Sequence, residues 1–275
     1  MGIIAVATST KTKGNRVDKV PFLFYDLETS YIISKNWGIW ESNAIGAGKG
    51  VLEDFQILCF AYKWSGDKKT YVVGQDDFPD YVPGVNNDYN VVEYLWNLFN
   101  IAEITCAHNG NSFDYKKSTA RFIYHGFEPP SPTVQIDTKL VARRHFGFTS
   151  NKLDDLAAHF GIEGKLDAGG IETWDGCLAG DPKAWKTMKT YNVRDVIVLE
   201  KVYEKMMPWQ QTHPNLANIE GRPDACPKCA SEEGMTAQGT RYTKTGQYQK
   251  WRCKSCHSYV SSRTQEKGLD HPNYV

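Results

Sequence analysis

The sequence predicts an α/β domain followed by a small module built on four cysteines. Short runs rich in Ile, Leu, Phe, Tyr and Val alternate with helical spacing over roughly the first two hundred residues, which is how α/β domains read. The run Phe22 to Glu28 is apolar on both faces, as in a central strand covered from each side. Cys226, Cys229, Cys253 and Cys256 form two CxxC pairs near the end. A chain of 275 residues has room for both parts, and 41% apolar with 23% charged residues suits a packed globular core.

The elements follow in order. A polar arm is expected over 1–19, with Ser9 to Lys19 its loosest part. After the first strand, Gln56 to Lys63 and Thr70 to Val73 are strands, joined by a turn at Ser65-Gly66-Asp67. Val91 to Phe99 has helical spacing. Glu103 to His108 is a short strand that runs into the loop signal Asn109-Gly110-Asn111, and a helix follows to about Tyr124. Gln135 to Asp137 is a strand, and Lys152 to Phe160 is a helix stopped by Gly161. Asp181-Pro182 starts a long helix that Pro208 ends, because proline at the first helical position lacks only an N–H that would go unused. The expected domains are therefore 20–207, a linker over 208–223, the cysteine module over 224–264 and a tail over 265–275.

Composition excludes several classes. The longest apolar run, Ile57 to Tyr62, is far short of the ~20 residues a membrane helix needs, so no membrane partner is expected. Met1 to Ala7 lacks the basic and apolar regions of a secretion signal. With seven cysteines, an odd number, a disulfide framework is not expected either, and the reading is a reducing, cytoplasmic location. Lys+Arg and Asp+Glu both total 32, yet residues 221–275 hold 9 basic and 5 acidic residues, leaving 23 and 27 for the rest. The cysteine module is thus at +4 and the larger part at −4, which points to two different electrostatic roles.

Four carboxylates in three segments stand out. Asp26 and Glu28 are two apart on the central strand and share one face with Phe22 and Phe24. The strand buries its first half and presents two acids at its C-terminal end, where α/β folds place their sites; taken alone, the pair reads equally as a solvated strand exit. Asp114 opens the helix after the Asn-Gly-Asn loop, and alone it reads as a dipole-compensating acid with Asn111 as N-cap. Asp195 falls on the stripe Trp185, Met188, Tyr191, Asp195, Leu199, Val202, Met206, the inward face of an amphipathic helix. A carboxylate in a core slot needs a cation or strong donors, so a buried ion pair or a metal is expected there. Acids on a strand end, a loop–helix junction and a helix face can converge on a pair of hard divalent ions such as Mg²⁺.

Phe24-Tyr-Asp-Leu-Glu-Thr29, His108-Asn-Gly-Asn-Ser-Phe-Asp114 and Tyr191-Asn-Val-Arg-Asp195 resemble, in order and separation, the three exonuclease motifs of the DEDD superfamily. Asp137-Thr-Lys and Ser150-Asn-Lys-Leu-Asp154 between them fit as well. Tyrosine four residues before the last aspartate is similar to the Tyr subclass, which includes the proofreading domains of family B DNA polymerases. The His subclass needs histidine at position 190, which is threonine. The resemblance covers about residues 20–207. It implies a ribonuclease H-like mixed sheet flanked by helices and 3′→5′ hydrolysis of single-stranded nucleic acid, DNA being favoured over RNA, with two Mg²⁺ or Mn²⁺ ions. It further implies that Asp26 bridges both ions, that Glu28 and Asp195 complete the nucleophile-side site, that Asp114 holds the second ion, and that Tyr191 orients the attacking water. Leu27 and Thr29 are expected at the terminal nucleotide, and Asn109, Asn111 and Phe113 along the strand path. Asn111 stands where family B polymerases usually carry aspartate.

The two CxxC pairs suit one structural Zn²⁺ held by four thiolates in a zinc ribbon, with a β-hairpin turning near Thr245-Gly246 between the knuckles. So short a module cannot build a core without metal. Six basic and no acidic residues lie between Arg241 and Arg263. Tyr248, Lys250 and Arg252 alternate onto one strand face and Lys254 follows, so a strand-gripping surface is expected. A solvated basic hairpin is the plain alternative, and a catalytically silent nucleic-acid-binding protein or an exoribonuclease is the alternative for the whole chain.

Overall fold

The computed structural model describes residues 20–37, 50–164, 169–244 and 246–262, and the backbone of 267–268. The arm expected over 1–19, most of the tail and Thr245 of the expected hairpin turn lie outside the described residues. The chain forms two compact units, one over Pro21–Val202 and one that takes Val20 and the residues from Tyr203 onward.

The first unit is built on β1 (Phe22–Thr29). After it come a two-stranded ribbon, β2 (Ile33–Ser34) with β3 (Val51–Glu53), and then β4 (Ile57–Trp64) and β5 (Tyr71–Gly74). Next are α1 (Tyr89–Ile101), β6 (Ile104–Ala107), α2 (Asp114–Tyr124), β7 (Val134–Asp137), α3 (Thr138–His145), α4 (Leu153–His159), α5 (Ile171–Ala179) and α6 (Pro182–Met206). The five-stranded sheet has the order β5-β4-β1-β6-β7, antiparallel on the β4 side of β1 and parallel on the β6 side. It is the mixed sheet flanked by helices that was expected. At the β4–β5 connection Gly66 takes φ +86°, which glycine adopts without the Cβ clash, and Asp67 N–H closes the turn on Trp64 O at 3.0 Å.

Alternation along β1 divides the packing. Leu23, Tyr25 and Leu27 pack with Val91, Val92, Leu95, Leu98 and Phe99 of α1 and Phe122 of α2. Phe22 and Phe24 stack on each other at 4.7 Å. Leu58 and Cys59 of β4 pack with Cys177 of α5 and with Trp185 and Met188 of α6. The first half of β1 is thus sealed, and its sequence becomes acidic only past Phe24, where the pairing with β6 ends and that with β4 continues. A buried ion pair ties α1, α2 and β4: Arg121 donates to the fully buried Asp88 from Nε at 2.9 Å, His125 lies 2.7 Å from Asp88, and Ile57 N–H donates to it at 2.8 Å.

On α6 the buried positions include Trp185, Met188, Asn192, Val196, Leu199, Val202 and Met206, with Ala184, Val198 and Tyr203 beside them, while Tyr191 and Asp195 are half-buried. Asp195 does not occupy a core slot as its place in the stripe suggested. Steps of four through 188, 192 and 196 put Asn192 and Val196 at the centre of the stripe. Each residue turns the helix by about 100°, so 191 and 195 fall on its flank.

In the second unit, the segment read as linker carries a 3₁₀ turn at Met207–Trp209 and α7 (Leu216–Ile219), with Leu216 and Ala217 buried and the Asn215 side chain capping the helix. β8 (Met235–Tyr242) and β10 (Tyr259–Ser261) flank β9 (Gly246–Cys253), all antiparallel, and β11 (Lys267–Gly268) also pairs with β9. A bulge between Ala237 and Thr240 falls where Gly239 takes φ +78°.

Candidate active site

Asp26 and Glu28 leave the same face of β1 at its C-terminal end, and the flank of α6 brings Asp195 to them. Carboxylate oxygens of the three lie within 4.8 Å of one another. Two oxygens at roughly 2.1–2.4 Å from one hard cation are at most about 4.2–4.8 Å apart, so the cluster fits a shared divalent ion. Asp114 reaches the same strand from α2, its Oδ1 accepting the Leu27 N–H at 3.1 Å. Asp114 is the first residue of α2, and Phe113, not Asn111, stands at the N-cap without a side-chain cap bond. The reading of Asn111 as N-cap is therefore corrected, while Asp114 remains an acid in the first turn and commits one of its oxygens to β1.

Burial pushes the Asp26 carboxyl well above the usual carboxylate range, and the Asp114, Glu28 and Asp195 charges add to that shift. Asn192 opposes it: its Nδ2 donates to Asp26 Oδ2 at 2.8 Å and to Asp26 O at 3.2 Å. Asn192 is fully buried and escaped the sequence reading. Its signal was present, an amide at the centre of an apolar stripe, four residues from both Met188 and Val196. Burial also raises Asp114 to about 7, against the pull of the Leu27 N–H. Acids crowded this way repel and resist ionisation, and a multivalent cation relieves both effects.

The loop before Asp114 is shaped by a second buried acid. Asp137 accepts from Asn109 N–H at 3.0 Å and Asn111 N–H at 3.2 Å, and it caps α3 through Lys139 and Leu140 N–H. Asn109 takes φ +69°, a conformation asparagine tolerates better than other side chains. At Gly110 a Cβ would lie 2.6 Å from the Ala107 Cβ, so glycine is required by space. His108 bridges Thr138 Oγ1 at 2.8 Å and Asn151 O at 2.9 Å, and burial lowers its pKa, so it braces the loop as a neutral ring.

In the second unit the four cysteines gather. Cys226 and Cys256 sulfurs are 3.8 Å apart, as are those of Cys229 and Cys253, and all four lie within 4.8 Å. A tetrahedral ion with bonds of about 2.3 Å to sulfur sets its ligands about 3.8 Å apart, so the set fits one such ion. The knuckles close through Ala230 N–H to Cys226 O at 2.8 Å and Cys253 N–H to Ser258 O at 3.0 Å, with Ala230 and His257 at positive φ.

A family model described as the RNase_H superfamily matches residues 66–207, just over half of the chain. The chain belongs to the RNase_H superfamily. The matched stretch contains Asp114 and Asp195 and begins after β1, so Asp26 and Glu28 enter through the strand geometry. Among solved structures, the family B DNA polymerase from the hyperthermophilic archaeon Pyrobaculum calidifontis is similar to this RNase_H-superfamily chain, with 12% identity and a TM-score of 0.45. That similarity covers 82% of this chain and 31% of that one, so the chain spans about a third of the polymerase. No curated protein matches the sequence.

The remaining residues expected at the site fall into three groups in this RNase_H-superfamily chain. Leu27 and Thr29 offer backbone: the Leu27 side chain is in the core, and the Thr29 carbonyl accepts from Trp174 Nε1 at 3.1 Å. Asn109 and Asn111 are held by their N–H groups on Asp137, whereas Phe113 is 38% exposed beside Asp114. Lys250 Nζ and Arg252 Cζ lie 5.9 and 5.6 Å from the exposed Tyr259 ring, and Lys254 is exposed. No described helix is long and apolar enough to cross a membrane.

Proposed function

We propose that the chain is a metal-dependent 3′→5′ exonuclease of the Tyr DEDD type that releases nucleoside monophosphates from single-stranded nucleic acid, with DNA favoured. The observation that carries this reading is the convergence of Asp26, Glu28 and Asp195 within 4.8 Å, with Asp114 bound to the same strand end. Superfamily membership supports a nuclease, and the three sequence motifs support the exonuclease subclass. Asp26, Glu28 and Asp195 would hold one Mg²⁺ or Mn²⁺, and Asp26 with Asp114 a second. When bound, such a pair activates a water and stabilises the leaving oxygen of a phosphodiester. Tyr191, one turn before Asp195 on the flank of α6, orients that water. Asn192 fixes the Asp26 carboxylate, and Asp137 fixes the loop from which Asp114 projects. The catalytic domain takes 20–207. The module over 224–264 is a zinc ribbon whose Lys250, Arg252 and Lys254 grip the strand; its sulfur-only ligand set with no open position suits a structural Zn²⁺.

The test is hydrolysis of matched 5′-labelled DNA and RNA single strands with Mn²⁺, with EDTA as control. Products should shorten one nucleotide at a time from the 3′ end. Asp26→Ala should lose about a thousandfold, roughly 4 kcal/mol of transition-state stabilisation, in a folded protein. Tyr191→Phe should lose about 10–1000-fold while keeping Mn²⁺ binding. Internal cuts, or near-normal turnover by Asp26→Ala, would overturn the assignment.

A further inference from the structure

One lysine beside the acid centre has aromatic rings where hydrogen-bond partners would be. Lys117 Nζ sits 3.4 Å from the Phe55 ring centroid and 5.8 Å from that of Phe113. Its ammonium has no hydrogen bond or ion pair among the described residues, and burial pulls its pKa down. The Asp54 charge pulls the other way, yet no carboxylate pairs with the ammonium among the described residues, so a partly desolvated cation is placed to take an anion.

The place of the trio says which anion. Phe113 precedes Asp114, and Lys117 is one turn further along α2, about 5 Å. Phe55 precedes Gln56, which is tied to Ser30 by two hydrogen bonds of 2.9 and 3.0 Å, and Ile57, which pairs with Thr29 at the end of β1. The three side chains therefore span the strand end that carries Asp26 and Glu28 and the first turn that carries Asp114. A cation fixed between π faces, next to a half-exposed ring, combines the two features that hold one nucleotide of a single strand: a phosphate contact and a stacking surface.

We infer that Lys117, seated on Phe55, serves the nucleotide next to the terminal one, alongside Phe113, which the sequence resemblance already puts on the strand path; the inference rests on the exonuclease reading above. Lys117 contacts the phosphate on the 5′ side of that nucleotide, Phe113 stacks on its base, and Phe55 holds the ammonium in place. The acids act on the scissile linkage, and this subsite sets the strand in register behind it.

Two dinucleotides separate the contributions. One carries a 5′-phosphate and therefore supplies the group Lys117 would bind; the other lacks it. The expected result is that the protein favours the 5′-phosphorylated dinucleotide by about tenfold in kcat/KM, mostly through KM, and that added salt shrinks the ratio. Lys117→Met should bring the ratio close to one, Lys117→Arg should preserve most of it, and Phe55→Leu should reduce it. A wild-type ratio near one, or an undiminished ratio in Lys117→Met, overturns the subsite while hydrolysis itself upholds the exonuclease reading. Hydrolysis of neither dinucleotides nor longer strands overturns both.

Discussion

Asn192→Ala tests whether the buried amide organises the acid centre or merely fills space. The change removes a donor to the Asp26 carboxylate at 2.8 Å and a donor to its carbonyl at 3.2 Å, both from a fully buried amide to a half-buried acid. Two neutral hydrogen bonds contribute about 1 kcal/mol each, and leaving the acceptors without their donor costs more, so the loss should be about 3 kcal/mol of stability. For a domain of this size that lowers Tm by roughly 6–12 °C. The effect on metal should be separate and larger than stability alone explains. Groups that orient a ligand are worth about 10–100-fold in metal affinity. Loss of the amide also drives the Asp26 carboxyl further upward, so protons compete harder with the ion. Calorimetric Mn²⁺ titration of the folded variant, with Tm read by circular dichroism, measures both. If Mn²⁺ affinity stays within twofold of the wild type and Tm is unmoved, Asn192 is filler and the reasoning about Asp26 fails.

Three other perturbations follow from the structure. Asp114 is raised to about 7 and Asp26 in the same direction, so folded, metal-free protein holds protons that ions must displace. Mn²⁺ affinity should climb as pH rises from about 5.5 to 7.5 with measurable proton release, and the metal-free protein should lose stability over the window from about 4 to 7, since its folded state binds more protons than the unfolded chain. Stripping metal from the four cysteines, or Cys229→Ser, should abolish hydrogen-exchange protection in β8 to β10 while amides of β1 and β4 stay protected, because the two units are compact on their own. Arg121→Met leaves the fully buried Asp88 carboxylate with only His125 and the Ile57 N–H and should cost about 3 kcal/mol in urea unfolding.

Much of this was legible in the sequence because period-two and period-3.6 patterns survive wherever an element is packed on one side or both. Phe22 to Glu28 announced β1, its two acids and its two-sided burial, and Pro182 and Pro208 bracketed α6 to within two residues. What the patterns miss is the choice between neighbouring faces of one helix. Residues 191 and 192 differ by about 100° of rotation, and only packing against β1 and β4 decides that Asn192 is central and Tyr191 lateral. Long-range polar ties are equally silent. Asp88 with Arg121, Asp137 with the Asn109 loop, and Lys117 with Phe55 join residues 28 to 62 positions apart, and no local window holds both ends. The short helix Leu216–Ile219 was hidden because a single turn has too few residues to show a period.

The acids of the centre come from β1, α2 and α6, so the site spans residues 26 to 195 of the chain. At the usual pace of translation the ribosome takes on the order of ten seconds or more to add that stretch. Throughout that interval a nascent chain already has Asp26 and Glu28 but no Asp195 to complete them. On the proposed chemistry, an enzyme that degrades nucleic acid is thus inert on the ribosome until α6 has been made. Prematurely terminated products that stop before α6 remain inert for good.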